Sequence, residues 1–269
     1  MNSITQFKEF IWNFYHQNKR DFAWRNIDNP YYILVSEIML QQTQTHRVIA
    51  KYEEFIAAFP DFENLAAAPL RDVLSVWQGL GYYRRARFLH QLAQIVVNKY
   101  GGVLPQDPKI LQTFPGIGPN TAGSICAFAF NQPTIFIETN IRAVFIHSFF
   151  YNSSTAISDK ELLPLIERSI DQSNPREWYY ALMDYGVFLK ARQVNPSRKS
   201  AHYTKQSRFE GSDRQIRAKI LKIIVDTEKI THQEILDLIG KDTERVKKII
   251  SQLVAEEFIQ KMNNSYFIL

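Results

Sequence analysis

The stretch Leu111-Gln112-Thr113-Phe114-Pro115-Gly116-Ile117-Gly118-Pro119-Asn120-Thr121-Ala122-Gly123-Ser124-Ile125 reads as a helix, a tight turn and a second helix. Gly116 and Gly118 supply conformations and a close approach that a Cβ would block. Ile117, between them, is placed to plug the turn onto the core. Backbone N–H groups in the turn and at the start of the second helix, around Asn120 and Thr121, can then hold a phosphate. Such contacts read no base, so the turn suits a grip on DNA of any sequence. A bare Gly-x-Gly is equally an ordinary αα-turn, but Phe-Pro-Gly-Ile-Gly-Pro-Asn-Thr-Ala placed after a helix is far more specific.

The chain around this hairpin is helical almost throughout. Residues 1–20 form one amphipathic helix with Phe7, Phe10, Ile11 and Phe14 on a face. From Tyr31 to about Leu189 the breaks fall at Pro or Gly. Helices are expected over Tyr32–Gln44, Thr45–Ala58, Tyr83–Tyr100, Asn140–Phe149, Ser158–Ser173 and Trp178–Leu189. Ala66-Ala67-Ala68-Pro69 is read as opening a short helix that ends at Gly79. Beyond a basic segment come helices Asp213–Thr227, Gln233–Ile239 (capped by Thr231) and Glu244–Glu257 (capped by Asp242 or Thr243). Two short strands around Asn263-Asn264 follow, and three helices with a hairpin make a winged-helix pattern. The expected fold is all-α, a two-lobed helix-hairpin-helix body with a C-terminal winged-helix-like domain. One lobe joins 1–21 to 134–189, an inserted bundle spans 22–133, a basic linker covers 190–211, and the winged-helix-like domain covers 212–269.

Composition narrows the class. Hydrophobic residues make up 45% and charged residues 22% of 269, ordinary values for a globular protein. No stretch approaches the roughly 20 apolar residues of a membrane span, and MNSITQFKEF has no secretory character, so a cytoplasmic protein is expected. The single cysteine, Cys126, excludes an internal disulfide and a cysteine-ligated metal cluster. The net charge of +5 is uneven: Lys190 to Lys222 holds ten Lys and Arg against two acids. That block has the character of a phosphate-backbone contact, although a solvated linker has the same composition.

Two carboxylates stand out. Glu37 lies on a helix among Ile33, Leu34, Val35, Ile38, Met39 and Leu40. A carboxyl desolvated there has a raised pKa and suits a general acid, whereas on a polar stripe it is simply a surface glutamate. Glu138 follows Ile135-Phe136-Ile137 and leads into Asn140 at a helix start, where a capping carboxylate is the plain alternative.

Phe22-Ala23-Trp24-Arg25, Ser36–Gln44, Trp77–Arg87, the hairpin and Leu182-Met183-Asp184-Tyr185-Gly186 occur in one order and spacing. Over roughly residues 7–190 the chain resembles the MutY-type adenine DNA glycosylases of the helix-hairpin-helix (endonuclease III) superfamily. The resemblance implies that Glu37 protonates an extruded adenine at N7. It implies too that Glu138, with Asn140 beside it, serves the positive charge developing on the sugar. Trp24 and Arg25 match residues beside the adenine pocket, Gln42 and Tyr82 match wedges that fill the gap in the duplex, and Thr43 matches a contact to the opposite base. Gly116, Ile117, Gly118 and Thr121 belong to the DNA-binding hairpin. At Asn120 bifunctional relatives carry a Lys that forms a Schiff base. The amide implies a monofunctional enzyme acting as a monomer on mismatched duplex DNA, with adenine opposite guanine or 8-oxoguanine as target.

The chain departs from that family in three places. Glu138 replaces the usual Asp, and one methylene moves a carboxylate by about 1 Å. The four cysteines of an iron–sulfur cluster are matched by Lys190, Ser197, Ser200 and Gln206, so no cofactor is expected. Where the family carries a domain that senses oxidised guanine, a winged-helix-like segment is expected instead, with Lys241, Arg245, Lys247 and Lys248 around its third helix. A glycosylase for another base, or a non-catalytic DNA-binding protein, stands as the alternative.

Overall fold

The computed structural model of the chain describes residues 3–205, 208–240 and 243–268. The first eight helices are α1 (Ile4–Asn18), α2 (Pro30–Leu40), α3 (Thr45–Ala58), α4 (Phe62–Ala67), α5 (Leu70–Val76), α6 (Arg84–Tyr100), α7 (Pro108–Leu111) and α8 (Pro119–Phe130). They are followed by α9 (Thr139–Phe149), α10 (Asp159–Ser169), α11 (Pro175–Arg192), α12 (Asp213–Thr227), α13 (His232–Ile239) and α14 (Thr243–Ala255). Three short strands, β1 (Lys229–Thr231), β2 (Gln260–Met262) and β3 (Ser265–Phe267), complete the set. Among the described residues no helix is long and apolar enough to cross a membrane. The chain forms two compact units, 1–37 with 105–205 and 38–104 with 206–269. The hairpin therefore packs in the first unit, with the N-terminal helix, rather than being grouped with 38–104.

In the first unit α1 turns Phe7, Ile11 and Tyr15 inward. Phe7 meets Phe145 of α9 at 5.2 Å and Trp178 of α11 at 6.0 Å between ring centroids. Helices α9 and α11 touch at Gly186, where a Cβ would stand 2.6 Å from the Asn140 carbonyl oxygen. Helix α8 closes on the extended segment before α9 in the same manner, since a Cβ on Gly123 would stand 2.9 Å from Phe136 Cβ. Thr134 donates to the Gly123 carbonyl at 2.7 Å and the Tyr179 hydroxyl to the Thr134 carbonyl at 2.8 Å. The Tyr179 bond satisfies one backbone carbonyl of a segment that, among the described residues, pairs with no strand.

In the second unit Leu65, Val73, Leu74, Trp77, Leu92 and Val96 form the core of α3–α6. Ala66–Ala68 does not open a helix, as the sequence had implied, but closes α4. Asp61 caps that helix by accepting from Asn64 N at 2.7 Å. Pro69 then forces Ala68 to extended backbone (φ −67°, ψ 143°), and α5 begins afresh at Leu70.

The C-terminal segment has the order α12, β1, α13, α14, β2, β3, with an antiparallel sheet ordered β1-β3-β2. Ile230 and Lys261 lie opposite Tyr266 on either side. This is a winged helix, with one strand more than expected: β1 is three residues long, and its Thr231 doubles as the cap of α13 by accepting from Glu234 N. Lys241, Asp242, Gln206 and the Thr243 side chain lie outside the described residues.

Gly186→Ala is expected to cost about 1–3 kcal/mol by forcing α11 away from α9. Urea unfolding of the variant measures this, and an unchanged midpoint would show that the close approach is not required.

Candidate active site

The first unit brings together Glu37, Ser124, Arg25, Tyr180 and Glu138. Glu37 lies in α2, flanked by the buried Ser36 and Ile38. Its side chain keeps an opening to solvent, yet enough protein surrounds the carboxyl to strip most of its hydration. Burial is the largest influence and pushes its pKa up to about 7. A hydrogen bond from Ser124 works against that shift, repulsion from the Glu138 carboxylate adds to it, and the Arg25 guanidinium opposes it. The Ser124 hydroxyl also lies 3.0 Å from the Thr121 carbonyl, so its single proton has two acceptors.

Glu138 is the N-cap of α9. Its Oε1 accepts from the backbone N–H groups of Asn140 at 2.7 Å and Ile141 at 2.9 Å, and Oε2 accepts from Asn140 Nδ2 at 3.1 Å. The capping role and the proximity to Glu37 therefore coexist in one side chain. Asn140 Oδ1 is buried with no partner among the described residues. Such an acceptor costs about 1–3 kcal/mol unless a donor reaches it. Asn120 is exposed, and its Oδ1 accepts from Ile137 N at 3.1 Å, one residue before Glu138. The amide at the hairpin thus pins the segment that carries the second carboxylate.

Trp24 is buried and stacks on Phe22 at 4.9 Å with rings 7° apart. Arg25 donates to both oxygens of Asp184 at 2.8 Å, and its guanidinium lies 4.4 Å from the Tyr180 ring centre. It is committed to the protein and acts on Glu37 through its field.

In the hairpin, Gly116 has φ 77°, which only glycine adopts without strain, and Ile117 is buried as expected. Its N–H reaches the Phe114 carbonyl at 3.2 Å, closing the turn. Gly118 is exposed at the N-cap of α8, with open space where a Cβ would stand. Asn120 and Thr121 follow in the first turn of α8.

Gln42, Thr43 and Tyr82 belong to the second unit. Gln42 (φ 55°) and Tyr82 (φ 48°) both occupy the left-handed region, which costs about 1–3 kcal/mol and persists only where neighbours enforce it. Arg85 does so for both loops. Almost wholly buried, it donates to the carbonyls of Ile38 at 2.9 Å and Met39 at 2.8 Å, and also to that of Gln41. Its other nitrogen reaches Thr43 Oγ1 at 2.8 Å and the Gly81 carbonyl at 3.3 Å. One guanidinium caps the end of α2 and ties the Gln42 loop to the Tyr82 loop.

Arg85, Ser124, Tyr180 and Asp184 were assigned no role from sequence. For Ser124 a signal existed, since it lies four residues after Asn120 on one helix face. The other three depend on partners far away in the chain.

An iron–sulfur cluster does not fit the residues at the positions that would hold it. Ser197 Oγ donates to the Thr139 carbonyl at 2.9 Å and Ser200 Oγ accepts from His202 N at 3.1 Å. Cys126 is buried in α8 with Sγ 3.3 Å from the Gln106 carbonyl. Among the described residues no group of His, Cys, Asp and Glu is placed to hold a metal. Hydrogen bonds order the loop instead: Ile157 N to Lys199 O and Ala201 N to Ile157 O, both at 2.8 Å.

Residues 35–168 match the model of the HhH-GPD superfamily base excision DNA repair proteins. The chain is 36% identical over 184 residues to an adenine DNA glycosylase of Buchnera aphidicola, covering 68% of this chain and 52% of that protein. It thus spans about half the length of that relative. An adenine DNA glycosylase of Mycobacterium tuberculosis is 28% identical over 284 residues, covering 95% of this chain and 90% of its own. The solved structure of a thermostable thymine-DNA glycosylase superposes with a TM-score of 0.63 at 28% identity, covering 74% of this chain and 92% of that one. The chain belongs to the HhH-GPD superfamily of base excision DNA repair proteins.

Proposed function

We propose that the chain is a DNA glycosylase that hydrolyses the N-glycosidic bond of a mispaired adenine extruded from duplex DNA. The observation that carries this reading is the Glu37 carboxyl, held near pKa 7 within the field of Glu138. A general acid works best with a pKa near the operating pH. Glu37 gives its proton to N7 of the flipped adenine, and the C1′–N9 bond breaks with its electron pair leaving on the base. The positive charge left on C1′ and the ring oxygen is met by the Glu138 carboxylate, oriented by the N–H groups of α9. Water then adds to C1′, and its proton returns to Glu37. The partnerless Oδ1 of Asn140 offers an acceptor for a sugar hydroxyl or that water.

The hairpin supplies a sequence-independent hold on the phosphate backbone, and Gln42 and Tyr82 fill the space the base vacates. Glu37, Glu138 and Asn140 lie on one chain, so a monomer suffices. No step requires a metal or a cluster. Asn120 offers no amine for a Schiff base, so the product is an intact strand with an abasic site.

A second reading has a specific observation behind it. The structural match to a thymine-DNA glycosylase, together with Glu in place of Asp at 138, favours a different mispaired base. A panel of duplexes with adenine or thymine opposite guanine, adenine opposite 8-oxoguanine, and alkylated or deaminated bases decides between the two.

Glu37→Gln is expected to lower the single-turnover rate by about 10²–10⁴-fold, and wild-type kcat/KM is expected to fall as pH rises through about 7. Full activity in Glu37→Gln would overturn the mechanism. The same raised pKa has a stability consequence. Between 4.5 and about 7 the folded chain keeps a proton that the unfolded chain has lost, so this group's contribution to stability falls as pH climbs. Glu37→Gln removes that loss and gains stability over wild type from pH 5 to pH 8, as thermal melts at the two pH values would read. The released strand is expected to break only after alkali, with no borohydride-trapped complex; a trapped complex would reveal a lysine acting in place of Asn120.

A further inference from the structure

The winged helix is fastened to α5, to the loop after it and to the first turn of α6. Arg71 donates to the Val225 carbonyl at 3.0 Å and pairs with Glu228 at 2.9 Å, and Gln78 donates to Asp226 at 2.9 Å. Arg84 and Arg217 both pair with Glu256, at 2.8 Å and 2.5 Å. Arg87 pairs with Glu257 at 2.5 Å. The guanidiniums of Arg87 and Arg217 lie 5.4 Å and 5.0 Å from the ring centre of the buried Phe258. Each exposed pair alone is worth about 0–1 kcal/mol, but the set is continuous from α5 to α6.

Tyr82, two residues before Arg84, also meets α12. Its hydroxyl accepts from Arg214 Nη1 at 2.8 Å, and its ring lies 5.3 Å from the Arg85 guanidinium and 5.9 Å from that of Arg214. Arg214 also lies 6.0 Å from the ring of Phe209, which is 53% exposed on the basic segment. Tyr82 is a side chain in strained backbone, and its hydroxyl is held by Arg214 of α12.

We propose that Arg214 is a positioning residue for Tyr82, through which the winged-helix domain sets the wedge that enters the duplex. The inference rests on the glycosylase reading above. With the hydroxyl held, Tyr82 meets the duplex already oriented, and the loop pays less ordering entropy on binding. Phosphate then competes with the phenol for the arginine, so the charge that positions the wedge also draws in the strand.

A double-mutant cycle of Tyr82→Phe and Arg214→Ala tests the coupling. The readouts are the single-turnover rate on an adenine mismatch and base extrusion followed by 2-aminopurine fluorescence beside the target. Each single change is expected to reduce extrusion about tenfold, as loss of a hydrogen bond to a charged group does. The double variant should match Tyr82→Phe within about twofold, and Arg214→Lys should restore part of the loss. Effects that multiply, or an Arg214→Ala protein whose duplex affinity and salt dependence change while extrusion does not, would overturn the proposal. Should Arg214→Ala misfold, Tyr82→Phe removes only the hydroxyl and must still show the loss. A wild-type protein inert on every duplex sinks the glycosylase reading and this inference together; an active wild type with independent effects sinks this inference alone.

Discussion

Arg25 and Asp184 exchange two hydrogen bonds at 2.8 Å with their side chains only 2% and 1% exposed, and the arrangement of the first unit depends on them. Withdrawing two such charges from water costs several kcal/mol per ion and is offset only by close pairing and added hydrogen bonds, and of the Arg25 nitrogens Nε alone is left without a partner among the described residues. Asp184 receives such bonds: Arg20 adds its backbone N at 3.0 Å and its Nε at 2.6 Å. Arg25 in turn donates to the Arg20 carbonyl at 2.9 Å and lies against Tyr180. The segment after α1 is thereby bound to α11. The pairing also explains why Glu37 keeps a raised pKa beside an arginine. A lone guanidinium would favour the ionised carboxyl, but a guanidinium already matched by a carboxylate presents a dipole, whose field decays faster than a charge. Desolvation then wins.

The second carboxylate takes its place from backbone devices. Asn120 holds Ile137 N, Thr134 is tied to Gly123 and Tyr179, and Ser197 holds the carbonyl of Thr139. Residues 134–139 are thus fixed from α8, from α11 and from the turn at Pro196–Lys199. Within that frame the extra methylene of Glu138 has a use. Capping positions favour short side chains, and a glutamate reaches its own helix N–H groups only by folding back, as Glu138 does at 2.7 Å and 2.9 Å. The fold-back shortens the effective reach toward that of an aspartate. Holding that conformation costs the side chain its rotamer freedom.

What the sequence disclosed follows from the range of each interaction. Thr45–Ala58 and Asp213–Thr227 are bounded as expected, because their stop and start signals are local: Pro60 beyond the first, Ser212 capping the second. The hairpin was legible for the same reason, with glycine demanded at Gly116 by a positive φ. Ala66–Ala68 misled because an alanine run favours helix equally at either end, and only Asp61 and Pro69 decide which. Strand β1 was invisible because three residues carry no alternation. Glu37 was half legible: its apolar neighbours in the helix are local, but its environment is completed by Ser124 and Glu138, far along the chain. Arg85 reads in sequence as one of several cations near a glycine turn. Its work on the carbonyls of Ile38, Met39 and Gln41 appears only once α2 and α6 are brought together.

Four cations of the basic block from Lys190 to Lys222 show two kinds of partner. Arg217 and Lys222 face carboxylates, Glu256 and Asp226, and moving either onto DNA would leave an anion behind near a polyanion. Lys199 and Arg214 instead donate to neutral oxygens, the carbonyls of Tyr151 and Ser153 in one case and a phenol in the other. A bond from a cation to phosphate gives the charged donor a charged acceptor as well, which shortens and strengthens it. For Lys199, exchange from a carbonyl oxygen to phosphate leaves no carboxylate behind. The net excess of the block overstates the DNA-facing charge, since part of it fastens the winged helix. Lys199 is held in place by bonds to carbonyls that a phosphate can displace.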